Sequence, residues 1–257
     1  MSTAADAWDR RRIIALFVLL GIAAAALAVG LALVLMPAMT SPPAGPVVEG
    51  TDSASERDRI ASAPMLATDR SDLQEAVSAP AQNASFVVPA STSIGPAQVA
   101  SGYPQTPEGA VAQLAALEVA ALAGLSTTRA RDVYAAWSED PAKETSWSIT
   151  ESIQRFHAAA GSRDGDQEVY VSVVPTAAQV KGSDGDAWSV ACVLFDIRIS
   201  FRSDVRFGYG HCSRMVWVAG RWIIDAGPEP APAPSTWPGS QRAVEAGWQP
   251  WVDGELP

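Results

Sequence analysis

The only imidazoles in this 257-residue chain are His157 and His211, and the only thiols are Cys192 and Cys212. An imidazole can move protons near neutrality, and a thiol pair can serve as nucleophile, metal ligand or disulfide. Neither pair has the spacing of a known reactive motif. There is no Cys-x-x-Cys, no His-x-x-x-His, no Gly-x-Ser-x-Gly elbow and no glycine-rich phosphate loop, so metal, hydrolase and nucleotide sites have no motif to support them. Asp196 and Asp225 lie in or at the end of expected strands. A carboxylate in an apolar cavity can act as a base when burial raises its pKa, but Asp196 falls on an outward-facing position and Asp225 at a chain exit suited to a turn or cap. His157 closes an amphipathic helix and reads as structural. His211 reads as a satisfied core histidine or as part of a cavity wall. No catalytic, cofactor-binding or metal-binding set is assigned, and the chain is expected not to be an enzyme and to carry no cofactor.

The elements that position these residues follow from periodicity. From residue 168 the pattern alternates, which predicts strands at Glu168–Val174, Trp188–Phe201, Val205–Ala219 and Arg221–Asp225, with turns at Arg202-Ser203-Asp204 and Gly220. If Cys192 lies opposite Cys212 in the long hairpin, Val193 faces His211, Phe195 faces Tyr209, Ile197 faces Phe207 and Ile199 faces Val205. The large apolar groups then share one face, and Phe195, Ile197, Phe207, Tyr209 and His211 are the candidate lining of a cavity. The opposite face carries Asp196, Arg198, Ser200, Arg214 and the cysteines, as in a sheet with one covered side. Arg198 opposite Arg206 is the one unfavourable pairing. The cysteines read as a cross-strand disulfide, with two half-buried thiols as the alternative.

Before the strands, Thr106-Pro107-Glu108 supplies a helix cap, a first-turn proline and an acidic residue. Val111, Leu114, Ala115, Leu117, Ala121, Leu122 and Leu125 form its apolar face, and Gly124 stops it. A second helix opens at Ser126 or Thr127, with Ala130, Val133, Tyr134 and Trp137 on one side, and ends before Pro141. A third runs from about Ser146 to Ala160, with Ile149, Ile153 and Phe156 inward and Gly161 closing it. Three helices packed on a curved antiparallel sheet make an α+β domain over residues 102–226.

Residues 1–12 are expected to be cytoplasmic. Ile13 to Met36 carry no charged side chain for twenty-four positions behind Arg10, Arg11 and Arg12, which predicts a single membrane-spanning helix with the rest of the chain outside. A cleavable signal peptide is the competing reading, although its apolar core usually runs only about 7–15 residues. Removing Arg10, Arg11, Arg12, Asp6 and Asp9 from the 18 basic and 28 acidic residues leaves 15 and 26 outside. Such an acidic surface disfavours nucleic acid. Residues 37–101, rich in Ala, Ser and Pro, read as a disordered linker, with a short docking element around Leu73–Val77 or Phe86–Val88 as the alternative within it. Residues 227–257 form a Pro- and Trp-containing tail, with a short helix at Gln241–Ala246; folding back on the domain is the default expectation for Trp237, Trp248 and Trp251, with a partner contact or a place near the membrane surface as the alternatives. Lys143 and Lys181 are the only lysines and Asn83 the only asparagine, a bias of high-GC bacteria.

The order of three helices, long strands and a closing Val-x-Gly-Arg-Trp-Ile-Ile-Asp, Val218 to Asp225, resembles the nuclear transport factor two-like, or ketosteroid-isomerase-like, superfamily. Ile94-Gly95-Pro96 followed by Gly102-Tyr103-Pro104-Gln105-Thr106-Pro107-Glu108-Gly109-Ala110-Val111-Ala112 is similar to a pattern in membrane-anchored actinobacterial proteins of conjugative elements. The superfamily hosts isomerases, small-ligand binders and scaffolds. Two anchored branches fit the layout: extracytoplasmic assembly factors of type IV secretion and conjugation systems, and accessory proteins of mycobacterial lipid-import complexes. The resemblance implies a membrane-anchored scaffold contacting other envelope or secretion-complex proteins, with homo-oligomers a further expectation. The alternative is a domain that holds a small apolar ligand or lipid. A scaffold of this fold fills its cone with side chains, whereas a binder leaves it open.

Overall fold

In the computed structural model, residues 49–81, 84–164 and 169–254 are described; the expected membrane span at Ile13–Met36 lies outside them. The chain forms α1 (Glu49–Ser62), β1 (Phe86–Val88), β2 (Ser93–Ile94), β3 (Ala100–Ser101), α2 (Pro107–Leu122), α3 (Thr127–Trp137), α4 (Ser148–Ala160), β4 (Tyr170–Ser183), β5 (Trp188–Phe201), β6 (Ser203–Val218), β7 (Arg221–Ile224), α5 (Gln241–Glu245) and β8 (Gln249–Asp253). Six strands make one curled sheet in the order β1-β8-β4-β5-β6-β7, with β2 and β3 as a separate pair.

Local chemistry sets the helix ends. Thr106 Oγ1 accepts from the Gly109 N–H at 3.1 Å, with Pro107 in the first turn of α2. Ser126 Oγ accepts from the Arg129 N–H at 3.2 Å to start α3. Gly161 ends α4 in the left-handed region at φ 63°, a conformation glycine adopts without a Cβ clash. Among the described residues α2, continued by the turn to Leu125, is long and apolar enough to cross a membrane. It is instead the central core helix: Ala110, Val111, Leu114, Leu117 and Ala121 have no exposed surface.

The β5–β6 hairpin has the register set by Cys192 opposite Cys212, with Val193–His211, Phe195–Tyr209, Ile197–Phe207 and Ile199–Val205 as partners. The cysteines are joined, with their Cα atoms 4.1 Å apart. Arg198 does face Arg206, but the like charges are drawn aside: Arg198 pairs with Asp204 at 2.8 Å, and Arg206 grips both oxygens of Asp196. β4 runs nine residues beyond the expected Val174 because register shifts at Pro175/Ala177 and Val180/Gly182 carry it past the proline. Such bulges bend a sheet and sharpen its twist.

Two expectations are corrected. The outer face is not left open, since β5 is buried at its first eight positions. A second apolar cluster there joins Trp188, Val190, Cys192, Leu194 and Cys212 to Ala61 of α1 and to Ala243, Ala246 and Trp248 of the tail. Nor is the stretch up to Ser101 wholly a disordered linker, because residues from Gly50 on belong to the same compact unit as the sheet. α1 docks by polar contacts as well as through Ala61: Asp58 accepts two 2.8 Å hydrogen bonds from Arg214, Arg57 pairs with Asp184 at 2.6 Å, and Lys181 donates to the Ala61 carbonyl at 2.7 Å. The tail folds back, burying Trp237 and Trp248, and β8 pairs in parallel with β1 and antiparallel with β4. Its carbonyls lie so close over β6 that a Cβ on Gly208 would come within 1.8 Å of Thr236 O.

Candidate functional site

The sheet curls around α2 and α4 and leaves a cavity of about 410 Å³. Leu122, Ile153, Phe156, Val173, Ile197 and Phe207 give it an apolar wall, and the exposed Arg202 and Ser203 form part of its rim. The alternation of β5 and β6 points every second side chain inward, so Ile197, Phe207 and Tyr209 line this space as their register positions imply. Phe195 does not. It is fully buried in the core, because α2 covers the middle of β5. His211 lines a second, more polar cavity of about 340 Å³, together with Ser148, Ser152, Arg155, Tyr209 and Glu229. Ser152 and Tyr209 belong to both walls, so the two cavities adjoin.

At the inner wall of the polar cavity stands a hydrogen-bonded row. Ser148 Oγ lies 2.8 Å from His211 Nε2, and His211 Nδ1 lies 2.5 Å from Glu118 Oε1. Glu118 has no exposed surface and His211 is 8% exposed; the Tyr209 ring stacks beside the imidazole at 6.2 Å between centroids. Three elements supply the row: Glu118 comes from α2, Ser148 from the first turn of α4 and His211 from β6. Burial pushes the Glu118 carboxyl up, and the adjacent His211 pulls it back only in part. Burial works against a charged His211, but the attraction and hydrogen bond of Glu118 outweigh it, so the imidazole stays above its ordinary value. Tyr209 is also raised, chiefly by burial, with the Glu118 charge adding to it. Glu118 Oε2 is buried without a hydrogen-bond partner. An ionised carboxylate only accepts, so with Glu118 ionised His211 donates through Nδ1, and in the neutral imidazole Nε2 is then free to accept the Ser148 hydroxyl proton.

The other sequence candidates lie elsewhere. His157 is tied to Ser162 Oγ and the Leu125 carbonyl, each at 2.8 Å. Asp196 faces outward to Arg206. Asp225 accepts from Trp188 Nε1 at 2.8 Å and from the Gly227 N–H at 2.6 Å at the chain turn. Sequence reasoning missed Glu118 and Ser148. The available signal was Glu118 itself, four residues from both Leu114 and Leu122 along the apolar stripe of α2, where a carboxylate is costly unless paired. Among the described residues no cluster of His, Cys, Asp and Glu could hold a metal ion. Comparison with known proteins finds no family model, no curated protein and no solved structure that matches this chain.

Proposed function

We propose that this chain is a membrane-anchored domain that holds a small apolar ligand, such as a lipid acyl chain, in the cone beneath its long hairpin. The observation that carries the reading is the open apolar cavity of about 410 Å³, within the range of about 300–1,000 Å³ typical of small-molecule sites. A pure scaffold has no use for that volume, since voids in a core forfeit contacts and cost stability. The expected helix at Ile13–Met36 supplies the membrane as the source or destination of the ligand. Resemblance to anchored accessory proteins of lipid-import complexes supports the same assignment, whereas the conjugation-scaffold reading calls for a filled cone.

The test is binding of a fluorescent fatty acid to the full-length protein in amphipol. Saturable binding is expected, displaceable by unlabelled fatty acid and weakened at least about tenfold by Val173→Trp, which places a large ring in the cavity. A Val173→Trp protein that binds the probe as tightly as the unmodified chain removes the cavity from the argument.

A further inference from the structure

From the Ser148–His211–Glu118 row and its position against the apolar cavity we infer that the protein cleaves acyl esters, with Ser148 as nucleophile, His211 as general base and Glu118 as the residue that positions His211. The chain-binding half of this inference rests on the proposed function above; the chemistry rests on the row alone.

Three features separate the row from an ordinary buried hydrogen-bond chain. Both Ser148 and His211 line a cavity with room for a reacting group. The spacings, 2.8 Å from hydroxyl to Nε2 and 2.5 Å from Nδ1 to the carboxylate, are those of a nucleophile, base and orienting acid in hydrogen-bond contact. And Glu118 is not satisfied as a structural carboxylate would be, because its second oxygen has no partner. The order of roles is fixed by atoms: an ionised Glu118 can only accept, so Nδ1 carries the proton and Nε2 presents its lone pair to the serine.

The polar and apolar cavities share Ser152 and Tyr209. An ester whose carbonyl sits at Ser148 can therefore run its hydrocarbon chain past Tyr209 toward Ile197 and Phe207. Ser148 Oγ attacks the carbonyl carbon while its proton passes to His211 Nε2. The tetrahedral oxyanion collapses, the bond to the alcohol oxygen breaks, and that oxygen takes the proton from Nε2. Water then attacks the acyl-Ser148 carbon, gives a proton to Nε2, and the Ser148 oxygen leaves with that proton, releasing the carboxylic acid. No oxidant or metal is required. The Ser148 N–H is held by Glu229 Oε1 at 2.9 Å; the cation in the wall of the same cavity is Arg155, which donates to the Glu151 carbonyl at 3.3 Å and to Ser152 Oγ at 3.1 Å and would have to turn toward a developing oxyanion to stabilise it.

The experiment uses the full-length protein in amphipol, with two probes: a fluorophosphonate, whose adduct is mapped by peptide mass spectrometry, and 4-nitrophenyl esters from acetate to palmitate. The expected result is an adduct on Ser148 and turnover that rises with chain length beyond acetate. Ser148→Ala should return turnover to the buffer rate. Glu118→Gln should lower it by on the order of a hundredfold or more and move the rising limb of the pH profile to lower pH, a change that a merely structural role for Glu118 does not produce. Ser148 starts a helix and is half-buried, so its alanine variant keeps the fold, and an unchanged thermal melt of that variant checks this. If Ser148 takes no adduct and no ester turns over while the fluorescent fatty acid still binds, the esterase inference is overturned and the ligand-binding function stands. If Ser148 is labelled and acetate is cleaved, but neither longer esters nor the fatty acid engage the protein, the cavity reading is overturned and the catalytic row stands.

Discussion

Replacing Arg214 with Met asks whether polar contacts hold α1 on the outer face of the sheet. Arg214 is 6% exposed. Its two terminal nitrogens each donate to Asp58 Oδ1 at 2.8 Å, its Nε lies 3.5 Å from Asp225 Oδ1, and its guanidinium sits 5.4 Å from the centre of the Trp188 ring. The Asp58 side chain is 63% exposed, so that link contributes about 0.5–1 kcal/mol. Asp225 is well shielded but keeps its hydrogen bonds from Trp188 and Gly227, which limits the cost of losing Arg214 there to about 1–2 kcal/mol. The cation–aromatic contact adds about 0.5–1 kcal/mol. Together these give a loss of about 2–4 kcal/mol. With a urea slope of about 2 kcal/mol per M, the unfolding midpoint, followed by tryptophan fluorescence, should fall by about 1–2 M. Asp58→Asn, which touches only the exposed end, should cost no more than about 1 kcal/mol. A midpoint shift below about 0.3 M for Arg214→Met, or an Asp58→Asn loss equal to it, would refute the view that this buried cation fastens the helix.

Gly208→Ala should lower the melting temperature by several degrees, because its Cβ would meet Thr236 O at 1.8 Å and force the tail off β6; scanning fluorimetry decides it, and an unchanged melt means the tail is not seated there. The folded values of Glu118 and His211 are both raised above their ordinary 4.5 and 6.5. Raised groups contribute stability that is full below the ordinary value and lost as pH climbs through the folded one. Stability should therefore fall as pH climbs past those ordinary values, and the Glu118→Gln/His211→Gln double variant should flatten that slope in urea titrations at each pH. Cys192→Ser/Cys212→Ser opens a link between residues 20 apart and should cost about 3 kcal/mol, read from the urea midpoint under non-reducing conditions.

The hairpin was legible because two constraints agreed: alternation placed the apolar residues on one face, and the cysteines fixed which residues stood opposite. The helix ends were legible because Thr106, Ser126 and Gly161 act through local chemistry alone. The full length of β4 was not, since Pro175 breaks the alternation that would have extended it, and only the partner strand shows that the chain resumes after a bulge. α1 was hidden for a different reason. Its sequence carries little apolar surface, so a composition argument reads it as a linker, whereas Asp58, Arg57 and the partners they find on the sheet are far away in sequence. The Ser148–His211–Glu118 row was invisible as a motif because its members come from three elements and meet only when the sheet curls over α2.

The Cys192–Cys212 bond lies under material from both ends of the described chain. Cys192 is fully covered and Cys212 is 5% exposed, with Met65 on one side and Ala243, Ala246 and Trp248 nearby. Thiol–disulfide exchange requires a thiolate to reach a sulfur directly, so a soluble reductant must wait until the α1 side or the tail lifts away. Its reduction rate at low denaturant then measures how often this covering opens, a motion distinct from global unfolding. The covalent link thus serves as a built-in clock for the breathing of the outer layer.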